Sequence, residues 1–294
     1  TQSRSSAASD VYKRQEYMCS ADLKEFVEKN HLNLSQDGTF NPRDIFGSHD
    51  DSDHVYNTPR AWYMARCLNP STMNWDGPDA DFTPLSDDIP WCMVPEKKVT
   101  IEDVKYVLSS HFQGTPYDPY ASYGDKSMKG AYRAIGVNRT DFLGIIQMRP
   151  DAEEDSRAIE WVAFASNVFN TAAPFYTDVE KVPEYFSNTT GDASTDNFYW
   201  ASRMIAAMAD ASYSKSIFHI ERYQERVMSK GHEYINQYDE LLSKESDAEK
   251  RMQLRQEANQ KIADMVKKET QDTLNKVLYE LSNQMKNAYS RSDA

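Results

Sequence analysis

Short apolar runs are densest between residues 131 and 176, AYRAIGVNRTDFLGIIQMRPDAEEDSRAIEWVAFASNVFNTAAPFY. Three or four of them, rich in β-branched and aromatic residues, are separated by polar breaks at Asn138–Asp141 and Pro150–Ser156. This pattern predicts the strand core of the domain, with Arg133 opening its first strand and residues 161–176 forming a central one.

Helical spacing predominates on both sides. Residues 17–30, YMCSADLKEFVEKN, predict a short helix capped by Ser20, with Leu23, Phe26 and Val27 facing inward. A second helix is expected over Pro59–Leu68, with Pro59 in its first turn. In a third, Thr100 caps and Asp103 completes a capping box, and Val104, Val107 and Leu108 form the apolar side. The loop 69–98 between the last two is long enough to suggest a functional surface. Residues 196–213 read as a buried helix containing Phe198, Ile205 and Met208. Beyond it Leu254, Ala258, Ile262, Met265, Leu274, Leu278, Leu281 and Met285 recur mostly four apart, up to about Tyr289. Ser243–Asp247 is the expected turn of a helical hairpin, whose plainest role is packing or dimer formation.

Charge and composition divide the chain near residue 214. Of 294 residues, 46 are acidic and 33 basic, a net charge of −13, yet the part from Lys215 onward holds 14 of each sign. All twelve prolines lie at or before Pro183. The negative excess disfavours nucleic acid and anionic membranes as partners. No run approaches the roughly 20 apolar residues of a membrane span. The opening fifteen residues, TQSRSSAASDVYKRQ, are Ser-rich and lack hydrophobic period, so they read as an artefactual or disordered leader. The expected division is therefore 1–15, 16–214 and 215–294.

Candidate chemistry is sparse. Cys19, Cys67 and Cys92 include no C-x-x-C pair, which argues against a disulfide framework or a common zinc site. His49-Asp50-Asp51-Ser52-Asp53-His54 has metal-binding atoms, but its spacing favours a solvated acidic turn. Asn57, in Tyr56-Asn57-Thr58-Pro59-Arg60, could present its amide rigidly to an oxyanion or simply satisfy its own turn. HFQGTPYDPY, residues 111–120, reads as a rigid connection.

Four stretches together carry a resemblance: YNTPRAWYMARCLNP (56–70), DIPWCMVPEKKVTIEDVKYVLSSHFQGTPYDPY (88–120), YRAIGVNRTDFLGIIQMRP (132–150) and WVAFASNVFNTAAPFY (161–176). In that order they resemble the PepD-type cysteine dipeptidases, N-terminal-nucleophile hydrolases similar to the penicillin V acylases and bile-salt hydrolases. The resemblance implies an α+β fold, an αββα sandwich incomplete at its N-terminus and followed by the C-terminal helical hairpin. It implies dipeptide substrates and no metal or organic cofactor. The nucleophile in such enzymes is an N-terminal Cys freed by propeptide cleavage, its own α-amino group (ordinary pKa about 7.7–8) serving as base.

By the same resemblance Asn57 matches the oxyanion asparagine, and Arg133 the late arginine that steadies nucleophile or substrate carboxylate. Asn167, Asn170 and Arg203 are candidate substrate contacts. All three cysteines fall within sequence that matches the family's later part, so the nucleophile is expected upstream and this chain alone is expected to be inactive. A cytoplasmic protein is the favoured expectation, with possible homo-oligomer formation through the C-terminal helices. The alternative is a noncatalytic assembly module on a degenerate hydrolase scaffold.

Overall fold

A computed structural model describes residues 19–287 apart from Asp37, His49 and Trp91. The leader, Tyr17, His49 and Tyr289 lie outside the described residues. The chain forms two compact units, one comprising residues up to Val99 with Ala131–Arg133, the other Thr100–Gly130 with the chain from Ala134 onward.

The first unit holds four short helices, α1 (Leu23–Lys29), α2 (Pro42–Phe46), α3 (Asp53–Tyr56) and α4 (Thr58–Leu68). α4 begins one residue before its predicted start, with Pro59 in the first turn, where a missing N–H costs no helical hydrogen bond. α1 is shorter than expected. Asp22 rather than Ser20 occupies its N-cap position, and of the three residues expected inside only Val27 is buried, Phe26 being half exposed. The 69–98 loop is pinned by buried indoles: Trp62 Nε1 donates to the Phe82 carbonyl at 3.1 Å and Trp75 Nε1 to that of Asn69 at 2.8 Å. Glu96 closes the loop by accepting from the Ser71 N–H, at 2.7 Å, and from Thr72. Those bonds, the Thr72 hydroxyl's foremost, hold its carboxyl below the ordinary range.

The second unit is built on a three-stranded antiparallel sheet in the order β1 (Phe142–Met148), β2 (Ala158–Phe164), β3 (Ala173–Tyr176). Two expectations are corrected here. Arg133 does not open a strand, because the first strand starts at Phe142 and residues 131–137 are irregular. Residues 161–176 are not one strand: β2 is central, and a turn containing Asn167 and Asn170 separates it from the edge strand β3.

Pairing of Ile145 with Trp161 and of Gln147 with Ile159 fixes the register, so Ile145, Ile159, Trp161 and Ala163 share one buried face. Burying a side chain as large as Ile159 or Trp161 stabilises by ~2 kcal/mol or more. The core they enter includes Tyr223, Val227 and Ile235 of α8 (Tyr213–Leu242) and Ala258, Ile262 and Val266 of α9 (Ala248–Ser282). The two helices turn at Ser243–Asp247, as their pattern predicts, and Asp247 caps α9 by accepting from the Lys250 N–H. The apolar stripe ends early, since Leu278 and Met285 are exposed. Among the described residues no helix is long and apolar enough to cross a membrane.

The free edge of β3 is closed by a side chain. Asn259 of α9 accepts from the Tyr176 N–H at 2.9 Å and donates to its carbonyl at 3.0 Å, as a neighbouring strand would. α5 (Ile101–Leu108) carries the predicted capping box: Thr100 Oγ1 accepts from the Asp103 N–H, and the Asp103 carboxylate from the Thr100 N–H. α6 (Glu184–Ser187) and α7 (Phe198–Ala211) complete the unit, with Phe186 and Phe198 packed on Phe164. The opposite face of β1 is open to solvent, where Phe142 (53%), Ile146 (69%) and Met148 (61%) stand exposed in a row.

Candidate active site

In the first unit, Asn57 separates α3 from α4. Its carbonyl accepts from the Arg60 and Ala61 N–H groups and starts α4, while its side-chain amide donates to the Asp53 carboxylate one turn back. Ser48 Oγ donates to the same carboxylate at 2.8 Å. The amide is thereby oriented, and the residue is exposed.

Arg133 reaches the same corner from a distant part of the chain. Its N–H donates to the Val55 carbonyl at 3.0 Å, its own carbonyl accepts from Arg60 Nε at 3.1 Å, and its guanidinium lies 5.7 Å from the Tyr56 ring centre. Asn57 and Arg133 thus flank Tyr56. Neither Arg60 nor Arg133 has a carboxylate partner among the described residues. Burial, and then the charge of Arg133, lowers the Arg60 pKa, as expected for cations held close without a counter-ion.

In the second unit, Asn167 and Asn170 lie in the buried turn Ser166–Thr171. Asn170 Nδ2 donates to the Phe164 carbonyl at 2.6 Å and to Asn167 Oδ1 at 3.2 Å, so the structure brings these two residues together. Asn170 Oδ1 and Thr171 Oγ1 are buried without a hydrogen-bond partner among the described residues. Gln224 of α8 braces the turn through the Val168 and Asn170 carbonyls, at 3.1 and 2.8 Å. Arg203 of α7 is paired with Asp141 at 3.1 Å. With Ser166, Tyr120, Asn138 and Asp210 it lines a cavity of about 250 Å³.

A larger cavity, of about 600 Å³, separates α5 from α8 and is lined by Glu102, Lys105, His111, Tyr213, Glu221 and His232 among others. His111 Nδ1 meets Asp118 Oδ1 at 2.9 Å and its Nε2 meets the Tyr213 hydroxyl at 3.2 Å. With Nδ1–H donating to the carboxylate, Nε2 accepts from the phenol. The segment 111–120 thus supplies the buried Asp118 and His111 of an Asp–His–Tyr chain whose tyrosine, Tyr213, comes from α8. Among the described residues no group of three or more His, Cys, Asp or Glu side chains could hold a metal ion. Asp53 instead orients Asn57, and His54 pairs with Asp87 at 2.8 Å.

The three cysteines are unpaired thiols in different settings. Cys19 and Cys92 are exposed, and burial pushes the Cys67 thiol up, away from thiolate. Sequence reasoning missed Arg60 and Lys105. Arg60 stood within the quoted NTPR stretch, and Lys105 falls on the helix face of Ile101 and Leu108, where an inward lysine is a readable anomaly.

Comparison with known proteins decides the family. The family model described as Peptidase family C69 matches residues 6–226. The chain belongs to peptidase family C69. It is 46% identical over 316 residues to a dipeptidase of Bifidobacterium longum (strain NCC 2705), an alignment covering 94% of this chain and 59% of that protein. It is 45% identical to probable dipeptidase A of Streptococcus pyogenes serotype M18 (strain MGAS8232), covering 95% and 57%. To dipeptidase A of Lactobacillus helveticus it is 32% identical, covering 90% and 53%. This C69 chain therefore spans between half and three fifths of the length of these relatives.

Proposed function

We propose that the chain is part of a thiol-dependent dipeptidase and supplies its carboxylate-binding and oxyanion-supporting portion. The observation that carries the reading is 46% identity to a dipeptidase across 94% of the chain. Arg133 is the carboxylate ligand. A guanidinium fork matches a carboxylate through two parallel hydrogen bonds, and an incoming anion relieves the repulsion between Arg133 and Arg60. Asn57 keeps one amide hydrogen beyond its bond to Asp53, and donates it to the oxygen that gains charge when a peptide carbonyl is attacked.

Within the second unit, Asn167 and Asn170 are the peptide contacts in this reading, their turn sharing Ser166 with the Arg203 cavity. Arg203 takes a further polar contact at the mouth of its cavity. The attacking sulfur is none of Cys19, Cys67 and Cys92, a view supported by the raised Cys67 pKa. The fold in this reading is the αββα sandwich of the N-terminal-nucleophile hydrolases. Support comes from the exposed Phe142, Ile146 and Met148 face, onto which a second sheet packs about 10 Å away.

The test is release of free amino acids from dipeptides, with and without iodoacetamide. The 294 residues alone are expected to release none, and the protein read from an upstream start to release them until its thiols are alkylated. Turnover by the longer protein that alkylation leaves unchanged, or no turnover by it at all, contradicts the proposal.

A further inference from the structure

Lys105 is the one lysine of α5, and the mechanism above makes no use of it. It is 4% exposed, and no carboxylate among the described residues pairs with it. Its ammonium donates to Ser109 Oγ at 2.6 Å and to the backbone carbonyl of Asn167 at 2.7 Å. Glu102, one turn earlier, is engaged by His232 at 2.8 Å. A buried cation without a counter-ion is costly, and a methionine would fill the same space without that cost. What the lysine adds is the bond to Asn167.

The geometry points to Lys105 as a positioning residue: through the Asn167 carbonyl it fixes the Ser166–Thr171 turn, and with it the Asn167 and Asn170 amides. This rests on the reading of those two residues as peptide contacts, and it extends that reading to a residue that touches no substrate. Four anchors hold the turn. Gln224 takes the Val168 and Asn170 carbonyls from α8, Asn170 ties back to the end of β2, Asn167 Nδ2 donates to the Leu108 carbonyl of α5 at 3.5 Å, and Lys105 takes the Asn167 carbonyl from α5. Of these anchors, Lys105 alone changes charge near neutral pH, its burial drawing the ammonium down to about 7.

The 600 Å³ cavity gives that proton a route to solvent. The ionisable groups around it are Glu102 and Tyr106 on α5, His111 with Asp118 in the following loop, and Tyr213, Glu221, Glu225 and His232 on α8.

The test follows the Asn167 carbonyl carbon and the Val168 amide by NMR from pH 5.5 to 8.5. Both signals are expected to titrate with a midpoint near 7 in the parent chain and to be flat in K105M and K105R, neither of which changes charge in this range. H232Q controls for the neighbouring imidazole and is expected to leave the midpoint in place. No inflection in the parent, or the same inflection in K105M or K105R, overturns the proposal. In the active protein K105M is expected to lower kcat/KM about tenfold and flatten its pH profile, with K105R recovering part of the loss. Absence of any dipeptide turnover removes the peptidase reading alone, because the NMR titration still decides whether Lys105 sets the turn.

Discussion

Gly231 of α8 lies directly against Pro174 of β3: a Cβ on the glycine would fall 2.6 Å from the proline Cδ and 2.8 Å from its Cγ. The missing side chain lets the helix settle on the sheet beside Trp161, whose ring is 3.6 Å from the same point. Gly231 therefore stays in mid-helix despite a propensity deficit of ~1 kcal/mol against alanine. G231A forces α8 away from the strand, at an overpacking cost of about 1–3 kcal/mol that outweighs the propensity gain. Urea unfolding should show net destabilisation, and an unchanged or higher midpoint would mean that the contact relaxes freely.

Asp155 binds α9 to the turn before β2. Arg251 grips its carboxylate through Nε at 2.7 Å and a second nitrogen, and Arg255, itself 4% exposed, pairs with the same group and with Asp178 at 3.1 Å. The hydrogen bonds of Arg251 chiefly, with the charges of both arginines, hold the Asp155 pKa below its ordinary value. A depressed carboxyl contributes stability that is complete above its unfolded pKa, near 4, and lost as pH falls through the lower folded value. D155N should cost roughly 3 kcal/mol at pH 7, because it removes the carboxylate shared by Arg251 and Arg255 and leaves the buried Arg255 with Asp178 alone. It should also remove part of the decline in stability below pH 4, which urea titrations at pH 7, 5 and 3 will show.

Arg133 is expected to act on substrate binding more than on turnover. Losing a charge-assisted bidentate contact costs about 1.5–3 kcal/mol, so R133M should raise KM for dipeptides about 10- to 100-fold with a smaller change in kcat. R60M should act in the same direction more weakly. Steady-state kinetics on dipeptides and their C-terminal amides will separate the cases, since the amides should be poor substrates for the parent and little affected by either variant.

The exposed face of β1 behaves differently in the two settings the αββα reading distinguishes. In the 294-residue chain I146K should change stability by no more than about 0.5 kcal/mol and should reduce binding of a hydrophobic dye. In a longer protein whose second sheet covers that face, the same substitution places an unpaired charge between the sheets and should cost several kcal/mol. Equal, small effects in both proteins would mean that no sheet packs there.

Local signals were the legible ones. The Thr100–Asp103 capping box, the first-turn position of Pro59 and the Ser243–Asp247 turn depend on neighbours within four or five residues, and all three stand where the chain pattern places them, although the helix holding Pro59 starts one residue earlier, at Thr58. Arg133 was misplaced because AYRAIGV has the composition of a strand but no partner strand, and pairing is a non-local property. The 161–176 run hid a turn in part for the same reason, since the bonds of Gln224 to the Val168 and Asn170 carbonyls that brace it are tertiary. Lys105 stood on the face of Ile101 and Leu108, so its inward direction was readable, but its partner, the Asn167 carbonyl 62 residues away, was not.

The candidate site itself was partly readable. Asn57 and Arg133 were named from family resemblance, yet the link between them, through Val55, Tyr56 and Arg60, exists only in the folded corner.

That corner admits the most direct measurement of the central claim, that these residues form the carboxylate-binding part of a dipeptidase. The labelled chain is titrated with a dipeptide and, separately, with its C-terminal amide, while the Arg133 Nε–H and Asn57 side-chain amide signals are followed by NMR. The account predicts saturable shifts at both residues with the dipeptide and none with the amide. No shift with either ligand, or the same shift with both, would contradict it.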